Sequence, residues 1–375
     1  MTVQKYCAAP WRGLHINFRG DVKTCCAGDP NMLGNINRQS IQEILNGSKL
    51  QEIRQSIQQG ALHPEYCHNC IQAEKYGSSE RDWHNRTNPE CDINTNDYQP
   101  TLIDIRWNTT CNLSCNYCGP YCSSRWASIL KQEYRSGARP YYTDICDFLE
   151  QHRDNIREVA LVGGEPLLLP ENERLLDVIP QNCTLTLITN INVNFETNRI
   201  VKKILERSKV GWSISFDNVG DRFEYVRYGA DWQLTKHNVQ QVVERFKQGH
   251  WGGIHAVYNV YNCTRLCELR SYADSMGIDV HWQTLHHPEY LDPAVLGPEL
   301  AKLAINEIQN LRQNFKLRQH EQDFFAAVEQ RLLQSQINNN MINKFNEHIN
   351  LIENVYHAEH TKTFEQLWPE LREVL

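Results

Sequence analysis

Short apolar runs alternate with longer amphipathic stretches over the middle of the chain. The apolar runs predict six strands, at residues 101–107, 159–162, 185–191, 211–216, 253–261 and 278–285. Between them, apolar side chains recur at helical spacing and predict helices at Ser124–Tyr134, Asn198–Ser208 and Leu234–Lys247. Strands that alternate with helices pair in parallel. The pattern therefore predicts an α/β fold, an open, partial (β/α)6 TIM-like barrel.

The two flanks of this region have different patterns. Residues 1–97 are rich in turns and polar groups, with one predicted helix at Ser40–Gln59, and Gly20 is placed for a tight hairpin turn. Residues 291–375 carry apolar side chains at helical spacing, with a break expected at Asn338–Asn340. Three domains follow from these patterns: a small N-terminal domain at 1–97, the barrel at 98–290, and a C-terminal helical extension at 291–375.

Composition and charge narrow the class of protein. The 375 residues carry a net charge of -7 and 41% hydrophobic residues, with no basic stretch that would follow nucleic acid. There is no apolar run of about 18 residues, and Met1–Lys5 does not open an apolar signal region. We therefore expect a cytoplasmic location, with neither a membrane nor nucleic acid as partner. Fourteen cysteines in such a chain favour metal or cluster binding over disulfides.

Three of these cysteines form a compact motif. Cys111, Cys115 and Cys118 follow the first predicted strand at C-x3-C-x2-C spacing, and three thiolates leave one iron of a cubane cluster open to a non-protein ligand. Gly163–Pro166, with the sequence Gly-Gly-Glu-Pro, follows the second predicted strand. Because the carboxyl ends of barrel strands share one face, both motifs are expected at the same mouth. A structural zinc site on three cysteines and a histidine is the alternative, but it leaves Gly163–Pro166 unexplained.

With Tyr117 just before the third cysteine, this arrangement resembles the radical S-adenosylmethionine enzyme superfamily over about residues 100–290. The resemblance implies a [4Fe–4S] cluster on the three cysteines, S-adenosylmethionine on the fourth iron, and reductive cleavage to a 5′-deoxyadenosyl radical that abstracts a hydrogen atom from substrate. It also implies an electron donor such as reduced flavodoxin or ferredoxin. It names no catalytic residue, and it implies cofactor contacts at Tyr117, Gly163, Gly164, Glu165, Pro166, Asn190, Ser213, Ser215, Asp217 and Arg227, with Arg227 expected to pair with the cofactor carboxylate.

A second group of cysteines lies early in the chain. Cys7 is followed by 12 residues, Gly20, four residues and Cys25, and later by Cys67 and Cys70. This spacing resembles the auxiliary-cluster domains called SPASM or twitch, here placed before the barrel, and it implies a second [4Fe–4S] cluster on these four cysteines. Cys26 is a possible substitute for Cys25. Because Tyr76 stands where a full SPASM pattern has a further cysteine, one auxiliary cluster of the twitch type is expected; a four-cysteine zinc site is the alternative.

Three functions remain open from the sequence. Relatives with auxiliary clusters frequently modify ribosomally made peptides by crosslinking, epimerisation, decarboxylation or excision, so a peptide-modifying radical enzyme is the leading hypothesis. A small-molecule radical dehydrogenase or rearrangement enzyme is the second. A non-catalytic cluster or zinc scaffold that binds a partner protein is the third. The peptide substrate rests on analogy within the family.

Overall fold

A computed structural model describes residues 6–29, 33–74, 79–132, 142–285, 287–356 and 362–372. The strands are β1 Gly13–Ile16, β2 Asp21–Lys23, β3 Gly34–Asn35, β4 Leu102–Ile105, β5 Ser114–Cys115, β6 Glu158–Leu161, β7 Thr184–Thr189, β8 Val210–Ser215, β9 Arg227–Tyr228, β10 His250–Tyr258 and β11 Asp279–Thr284. The helices are α1 Ala9–Arg12, α2 Ile41–Leu45, α3 Ser48–Gln58, α4 His68–Ala73, α5 Glu80–Thr87, α6 Ser124–Ile129, α7 Tyr142–Gln151, α8 Pro170–Val178, α9 Arg199–Leu205, α10 Gly220–Val226, α11 Trp232–Arg245, α12 Leu266–Met276, α13 Pro298–Asn314, α14 Gln319–Leu332, α15 Asn339–Tyr356, α16 Phe364–Leu367 and α17 Pro369–Arg372.

Two compact units make up the chain. The first comprises Met1–Thr110, Tyr134–Ile188 and Glu196–Gly211, and the second comprises Cys111–Glu133, Thr189–Phe195 and Trp212–Leu375. Cys111 is thus the first residue of the second unit. No helix among the described residues is long and apolar enough to cross a membrane.

A parallel sheet forms the centre of the first unit. β1, β4, β6 and β7 lie side by side in that order, and all three of these pairings are parallel. β2 pairs antiparallel with the other edge of β1, and β3 pairs antiparallel with β2. The hairpin expected at Gly20 is thus present as β1 and β2. The bounds of these short strands, and β3, were not predicted, since short strands give little periodicity to recognise.

In the second unit, β10 and β11 pair in parallel, and β8 from Trp212 onward lies beside β10. The C-terminal helices share one hydrophobic core with α10 and α12. Four aromatic rings near its centre have ring centroids 5.2–6.4 Å apart; they belong to Tyr225, Tyr261, Phe364 and Trp368. Aromatic pairs at such distances stabilise a core beyond the area that they bury.

The α/β fold class predicted from the alternation is confirmed. All six predicted strands are present as β4, β6, β7, β8, β10 and β11, and helices follow them as a partial (β/α)6 barrel requires. The helix predicted at Ser124–Tyr134 begins at Ser124 as expected but ends at Ile129, and residues 133 and 134 lie outside the described part of the chain. The break at Asn338–Asn340 is also present, because α14 ends at Leu332 and α15 begins at Asn339.

The single helix predicted at Ser40–Gln59 is wrong in one respect, because the structure has two helices there. α2 ends at Leu45 and α3 begins at Ser48, with Gly47 in extended backbone before it. The Asn46–Gly47 pair explains the break, since glycine in a helix interior costs about 1 kcal/mol relative to alanine. Ser40 caps the first helix through a reciprocal pair of hydrogen bonds with Glu43.

Candidate functional site

The loop that carries Cys111, Cys115 and Cys118 is held by hydrogen bonds within the second unit. Ser124 at the start of α6 accepts from the backbone N–H of Cys111, at 3.1 Å. The indole N–H of Trp126 donates to the backbone carbonyl of Cys115, at 2.9 Å. The first residues of α6 therefore fix both ends of the segment between the first two cysteines.

The C-terminal extension also supports this loop. Tyr356, the last residue of α15, donates a hydrogen bond from its hydroxyl to the backbone carbonyl of Ser114, at 3.1 Å. The ring of Tyr356 stacks on that of Tyr228, with centroids 3.5 Å apart, and Tyr228 pairs with Ser114 in the small β5–β9 sheet. The guanidinium of Arg125 lies over the ring of Tyr228, 4.9 Å from its centroid. An aromatic stack thus braces the strand that contains Cys115.

A buried ion pair lies directly beside Cys115. Arg227 faces Cys115 across the β5–β9 pair, and its Nη1 is 3.8 Å from the sulfur of Cys115. Its Nη2 is 3.0 Å from Oδ2 of Asp217, and both side chains are almost fully buried. The same oxygen accepts from the hydroxyl of Tyr117 at 2.7 Å, and Oδ1 accepts from the backbone N–H of Val257. Asp217 therefore orients both Arg227 and Tyr117.

The charge of Arg227 favours a thiolate at Cys115. Burial lowers the pKa of Arg227, but the acidic groups of Tyr117 and Asp217 raise it by a larger amount. The net shift of the pKa is upward, and the guanidinium stays charged. The pKa of Cys115 is lowered, first by a hydrogen bond from the Cys118 thiol and then by the charge of Arg227. A thiolate is the form that binds iron.

Asn190 directly follows β7, and Ser213 and Ser215 lie near the end of β8. The side-chain amide of Asn190 donates to the side chain of Asn112 at 2.9 Å and lies 3.8 Å from the sulfur of Cys111. Ser213 and Ser215 are half-buried on β8, on the face opposite the fully buried Ile214. The predicted contacts Tyr117, Asn190, Asp217 and Arg227 thus surround the cysteine loop, but the described partner of Arg227 is Asp217.

The Gly-Gly-Glu-Pro turn packs against the residues that precede Cys111, and these contacts lie in the first unit. A Cβ on Gly164 would be 2.2 Å from the carbonyl oxygen of Thr110, so only glycine fits there. Gly163 has a φ of +145°, which side-chain-bearing residues avoid. Glu165 is fully buried and donates its backbone N–H to the carbonyl of Thr110, at 2.8 Å. The turn is thereby fixed to the chain one residue before Cys111.

Four early cysteines line one small cavity in the first unit, which we name the cysteine cage: Cys7, Cys25, Cys67 and Cys70. The hairpin of β1 and β2 turns at Gly20, whose φ is +83°, and returns the chain so that Cys25 approaches Cys7. Cys67 and Cys70 lie on the first turn of α4. The expected glycine turn and the meeting of all four cysteines are therefore both present.

The donor chemistry of the cysteine cage fits an iron–sulfur cluster. Burial, followed by the neighbouring thiols Cys7 and Cys70, raises the pKa of Cys25, as expected where buried thiols crowd together. Backbone N–H groups of Ala9 and Arg81 donate to the sulfurs of Cys7 and Cys70 and lower their pKa values in part. Hydrogen bonds of this kind to the sulfurs are a feature of cluster sites.

Within the described residues, no group of three or more His, Cys, Asp and Glu side chains is arranged to hold a metal ion. In a cubane cluster each iron takes its own thiolate, so the cysteines around a cluster do not converge on one ion. The meeting of the four thiols around one cavity is therefore the relevant geometry.

Replacing Cys25 and Cys26 separately tests which of the two binds the cluster. Cys25 lines the cysteine cage, whereas Cys26 lines only a larger neighbouring cavity. We expect Cys25→Ser to lower the iron content after anaerobic reconstitution from about eight to about four per chain, and Cys26→Ser to leave it unchanged. Iron and sulfide assays make the measurement. Equal loss in both variants would show that Cys26 is a ligand.

The larger cavity has a volume of about 410 Å³ and lies entirely in the first unit. Its walls come from β1, β4, β6, β7 and α5, and it reaches Cys25 of the cysteine cage. A volume above about 300 Å³ is typical of sites for small ligands or single side chains. Apolar residues such as Leu14, Trp83 and Ile188 line it together with charged ones, Glu80 and Glu158.

A histidine–aspartate pair forms part of the wall of this cavity. His15 on β1 lies opposite Asp104 on β4, and Nδ1 of His15 is 2.8 Å from Oδ2 of Asp104. Arg106 donates to the same carboxylate from Nε at 3.3 Å and from Nη2 at 3.1 Å. Burial lowers the pKa of His15, although Asp104 raises it in part, so the imidazole is neutral near pH 7. A neutral imidazole oriented by a carboxylate can act as a general base through Nε2.

His15, Asp104 and Arg106 were not among the site residues predicted from the sequence. Asp104 and Arg106 alternate with Ile103 and Ile105 in a predicted strand, and this alternation was a readable signal for side chains on the open face of the sheet. His15 gave no such signal, because its strand has four residues and all of them are buried.

A comparison with known protein families supports the prediction made from the early cysteines. Residues 7–71 match the model of the family described as SPASM, iron–sulfur cluster-binding domain. These residues form a SPASM domain. The match covers less than a fifth of the chain and contains all four residues of the cysteine cage. The SPASM/twitch-like domain expected from the spacing is confirmed.

The solved structures that are similar to this chain have low sequence identity to it. Streptococcus suis SuiB bound to S-adenosylmethionine is 16% identical, with a TM-score of 0.40 over 57% of this chain and 44% of that chain. Native anSMEcpe with bound AdoMet is 17% identical, with a TM-score of 0.42 over 57% of this chain and 61% of that chain. SuiB bound to the precursor peptide SuiA is 16% identical, with a TM-score of 0.41 over 72% of this chain and 62% of that chain.

The chain spans between 44% and 61% of the length of the first two of these structures. Among curated proteins, none matches.

Proposed function

We propose that this chain is a radical S-adenosylmethionine enzyme with one auxiliary cluster. The observation that carries the proposal is the contact of Gly164 and Glu165 with the backbone of Thr110, directly before Cys111. It joins two motifs that lie more than 50 residues apart in the sequence and that the superfamily uses together. Neither a zinc site nor a scaffold requires this contact.

Cys111, Cys115 and Cys118 are the residues that would hold the first cluster. A [4Fe–4S] cluster with S-adenosylmethionine on its open iron supplies the 5′-deoxyadenosyl radical that abstracts a hydrogen atom from substrate. Arg227 and Asn190 place hydrogen-bond donors at the sulfurs of Cys115 and Cys111, and Tyr117 is held by Asp217. Such donors stabilise the negative charge of thiolates.

The remaining contacts to S-adenosylmethionine are proposed by resemblance. Gly163–Pro166 is expected to support its amino group, and Ser213 and Ser215 are half-buried on the strand that leads to Asp217. Arg227 is already paired with Asp217. Its guanidinium is therefore proposed to bind the cofactor carboxylate while it keeps its ion pair with Asp217.

The cysteine cage of the SPASM domain is proposed to hold the second [4Fe–4S] cluster. Four cysteine ligands leave no iron open, which favours electron transfer over direct substrate ligation. The 410 Å³ cavity that reaches Cys25 is the proposed substrate site. His15, held by Asp104, would accept a proton at Nε2 from a substrate bound there.

A peptide is the substrate class that we favour, because enzymes with auxiliary clusters of this type frequently modify ribosomally made peptides. The cavity volume suits one or two side chains of such a peptide. Small-molecule dehydrogenation or rearrangement is the second candidate, since a cavity of this size also fits a small metabolite.

Reconstitution under anaerobic conditions tests the radical chemistry. We expect iron near eight per chain and formation of 5′-deoxyadenosine from S-adenosylmethionine with dithionite or reduced flavodoxin. Cys115→Ala should lower iron to about four and abolish 5′-deoxyadenosine, because the first cluster is lost and the SPASM cluster remains. Cys122→Ala is the matched control, since Cys122 is an exposed cysteine of the same loop outside the motif.

Failure to form 5′-deoxyadenosine despite full iron would reject the enzyme proposal and favour the scaffold, whose partner binding would survive Cys115→Ala. Coexpression with a short peptide encoded next to the gene distinguishes the substrate classes. A mass change in that peptide, absent with Cys115→Ala, supports the peptide; an unmodified peptide beside an active enzyme supports the small molecule.

A further inference from the structure

One histidine of the SPASM region lies between the cysteine cage and the larger cavity. His84 on α5 is 3% exposed and contributes to the walls of both cavities. It is the neighbour of Trp83, whose ring meets the imidazole edge-on at a centroid distance of 5.0 Å. Neither cluster motif includes His84, and its place in the sequence, 14 residues after Cys70, gives it no apparent role.

The hydrogen bonding of His84 is incomplete. Its Nδ1 is buried and has no hydrogen-bond partner among the described residues. A buried polar atom without a partner costs about 1–3 kcal/mol, so native proteins rarely keep one without a reason. The missing partner is an acceptor or donor that the described residues do not supply.

The ring is also tightly confined. A Cβ added to Gly13 of β1 would lie 2.9 Å from Cε1 of His84, so glycine is required for the strand to approach the ring. Strand β1 therefore packs closely against Cε1 of the imidazole.

We propose that His84 donates a hydrogen bond from Nδ1 to the auxiliary cluster, at a sulfide or a cysteine sulfur, and so raises its reduction potential. The inference rests on the proposed function in one respect, that the cysteine cage holds an iron–sulfur cluster. Cluster sulfides and thiolates are acceptors, and the described residues offer Nδ1 no other hydrogen-bond partner. A donor stabilises the reduced, more negative cluster more than the oxidised one, which raises the potential.

This bond complements three backbone donors that already reach sulfurs of the cysteine cage. Backbone N–H groups of Ala9, His63 and Arg81 donate to the sulfurs of three cage cysteines, which are Cys7, Cys67 and Cys70 respectively. His84 lines both the cage and the larger cavity, as Thr24 and Cys25 also do. Its role is to tune the cluster; it is not placed to touch the reacting atoms.

The test measures the potential of the auxiliary cluster alone. Cys111→Ala, Cys115→Ala and Cys118→Ala together remove the first cluster, and electron paramagnetic resonance then follows a redox titration of the second. In this background His84→Phe keeps a planar ring without a donor, and we expect a more negative midpoint potential. His84→Gln keeps an N–H donor of similar reach, and we expect a potential closer to that of the background.

Arg86→Gln is the matched control, because Arg86 lies on the same helix and is exposed. Full iron content with an unchanged midpoint potential in His84→Phe overturns the proposal. If His84→Phe does not retain iron, pulsed electron paramagnetic resonance of the background protein labelled with ¹⁵N-histidine decides: a histidine nitrogen coupled to the cluster supports the bond, and its absence overturns it. A background protein that binds no iron rejects the auxiliary cluster itself, which is a different result.

Discussion

Gly164→Ala should reduce formation of 5′-deoxyadenosine by about a hundredfold or more. The new methyl group would lie 2.2 Å from the carbonyl oxygen of Thr110 and 2.6 Å from the carbonyl carbon of Thr109. Both are backbone atoms, so the segment that leads into Cys111 has to move. A displacement of about 1 Å is enough to cost a factor of a hundred in a positioned reaction.

Two measurements separate this effect from general damage. Iron content reports whether the clusters still form, and the yield of 5′-deoxyadenosine per cluster reports how the cofactor is positioned. Gly277→Ala is the matched control, because Gly277 also has a positive φ, 65°, but a Cβ there meets nothing within 4 Å. It should lose about 1–2 kcal/mol of stability and keep full activity. Equal activity in both variants would contradict the assigned role of Gly164.

Asp217→Asn should lower the free energy of unfolding of the apoprotein by about 3–5 kcal/mol. Asp217 and Arg227 form an ion pair with side chains 0% and 6% exposed, so the substitution leaves a guanidinium in the protein interior without its counter-charge. The cost of an unpaired buried charge exceeds that of a lost surface pair by several kcal/mol. Urea denaturation followed by tryptophan fluorescence makes the measurement.

An exposed ion pair of the same unit provides the control. Glu268 pairs with Arg222 at 3.0 Å with side chains 43% and 23% exposed, and Glu268→Gln should cost less than about 1 kcal/mol. Adding Arg227→Gln to Asp217→Asn should restore part of the lost stability, because the unpaired charge is then removed. If Asp217→Asn alone is no less stable than Glu268→Gln, the result argues against the burial of the pair between Asp217 and Arg227.

The strands and the cysteine motifs were readable because their signals are local. Six apolar runs of ordinary strand length gave six strands, and fixed spacings identified the SPASM domain and the loop at Cys111–Cys118. The signal for the break at Asn46–Gly47 was also local. The break was not predicted, because the apolar side chains on both sides keep the same helical spacing. Local signals decide which elements form.

Contacts between residues that lie far apart in the sequence could not be predicted in this way. Asp217 and Arg227 were both selected for the cofactor, and only the structure shows that they bind each other, since α10 has to return the chain before they meet. His15 acquires its meaning from the pairing of β1 with β4, which places Asp104 opposite it. His84 stands out only because tertiary packing gives its Nδ1 no partner in the part of the chain that the structure describes. Such relations depend on the register and packing of distant segments.

The hydrogen bond between Tyr356 and Ser114 joins residues 242 positions apart, and this separation has a consequence for biosynthesis. Chains fold from the N-terminus as they are made. All residues of the cysteine cage precede His84, so this site can close while most of the chain is still being translated. The loop at Cys111–Cys118 lacks the support of Tyr356 until residue 356 exists. Iron delivery to the two sites is therefore expected at different times, with the SPASM domain loaded first.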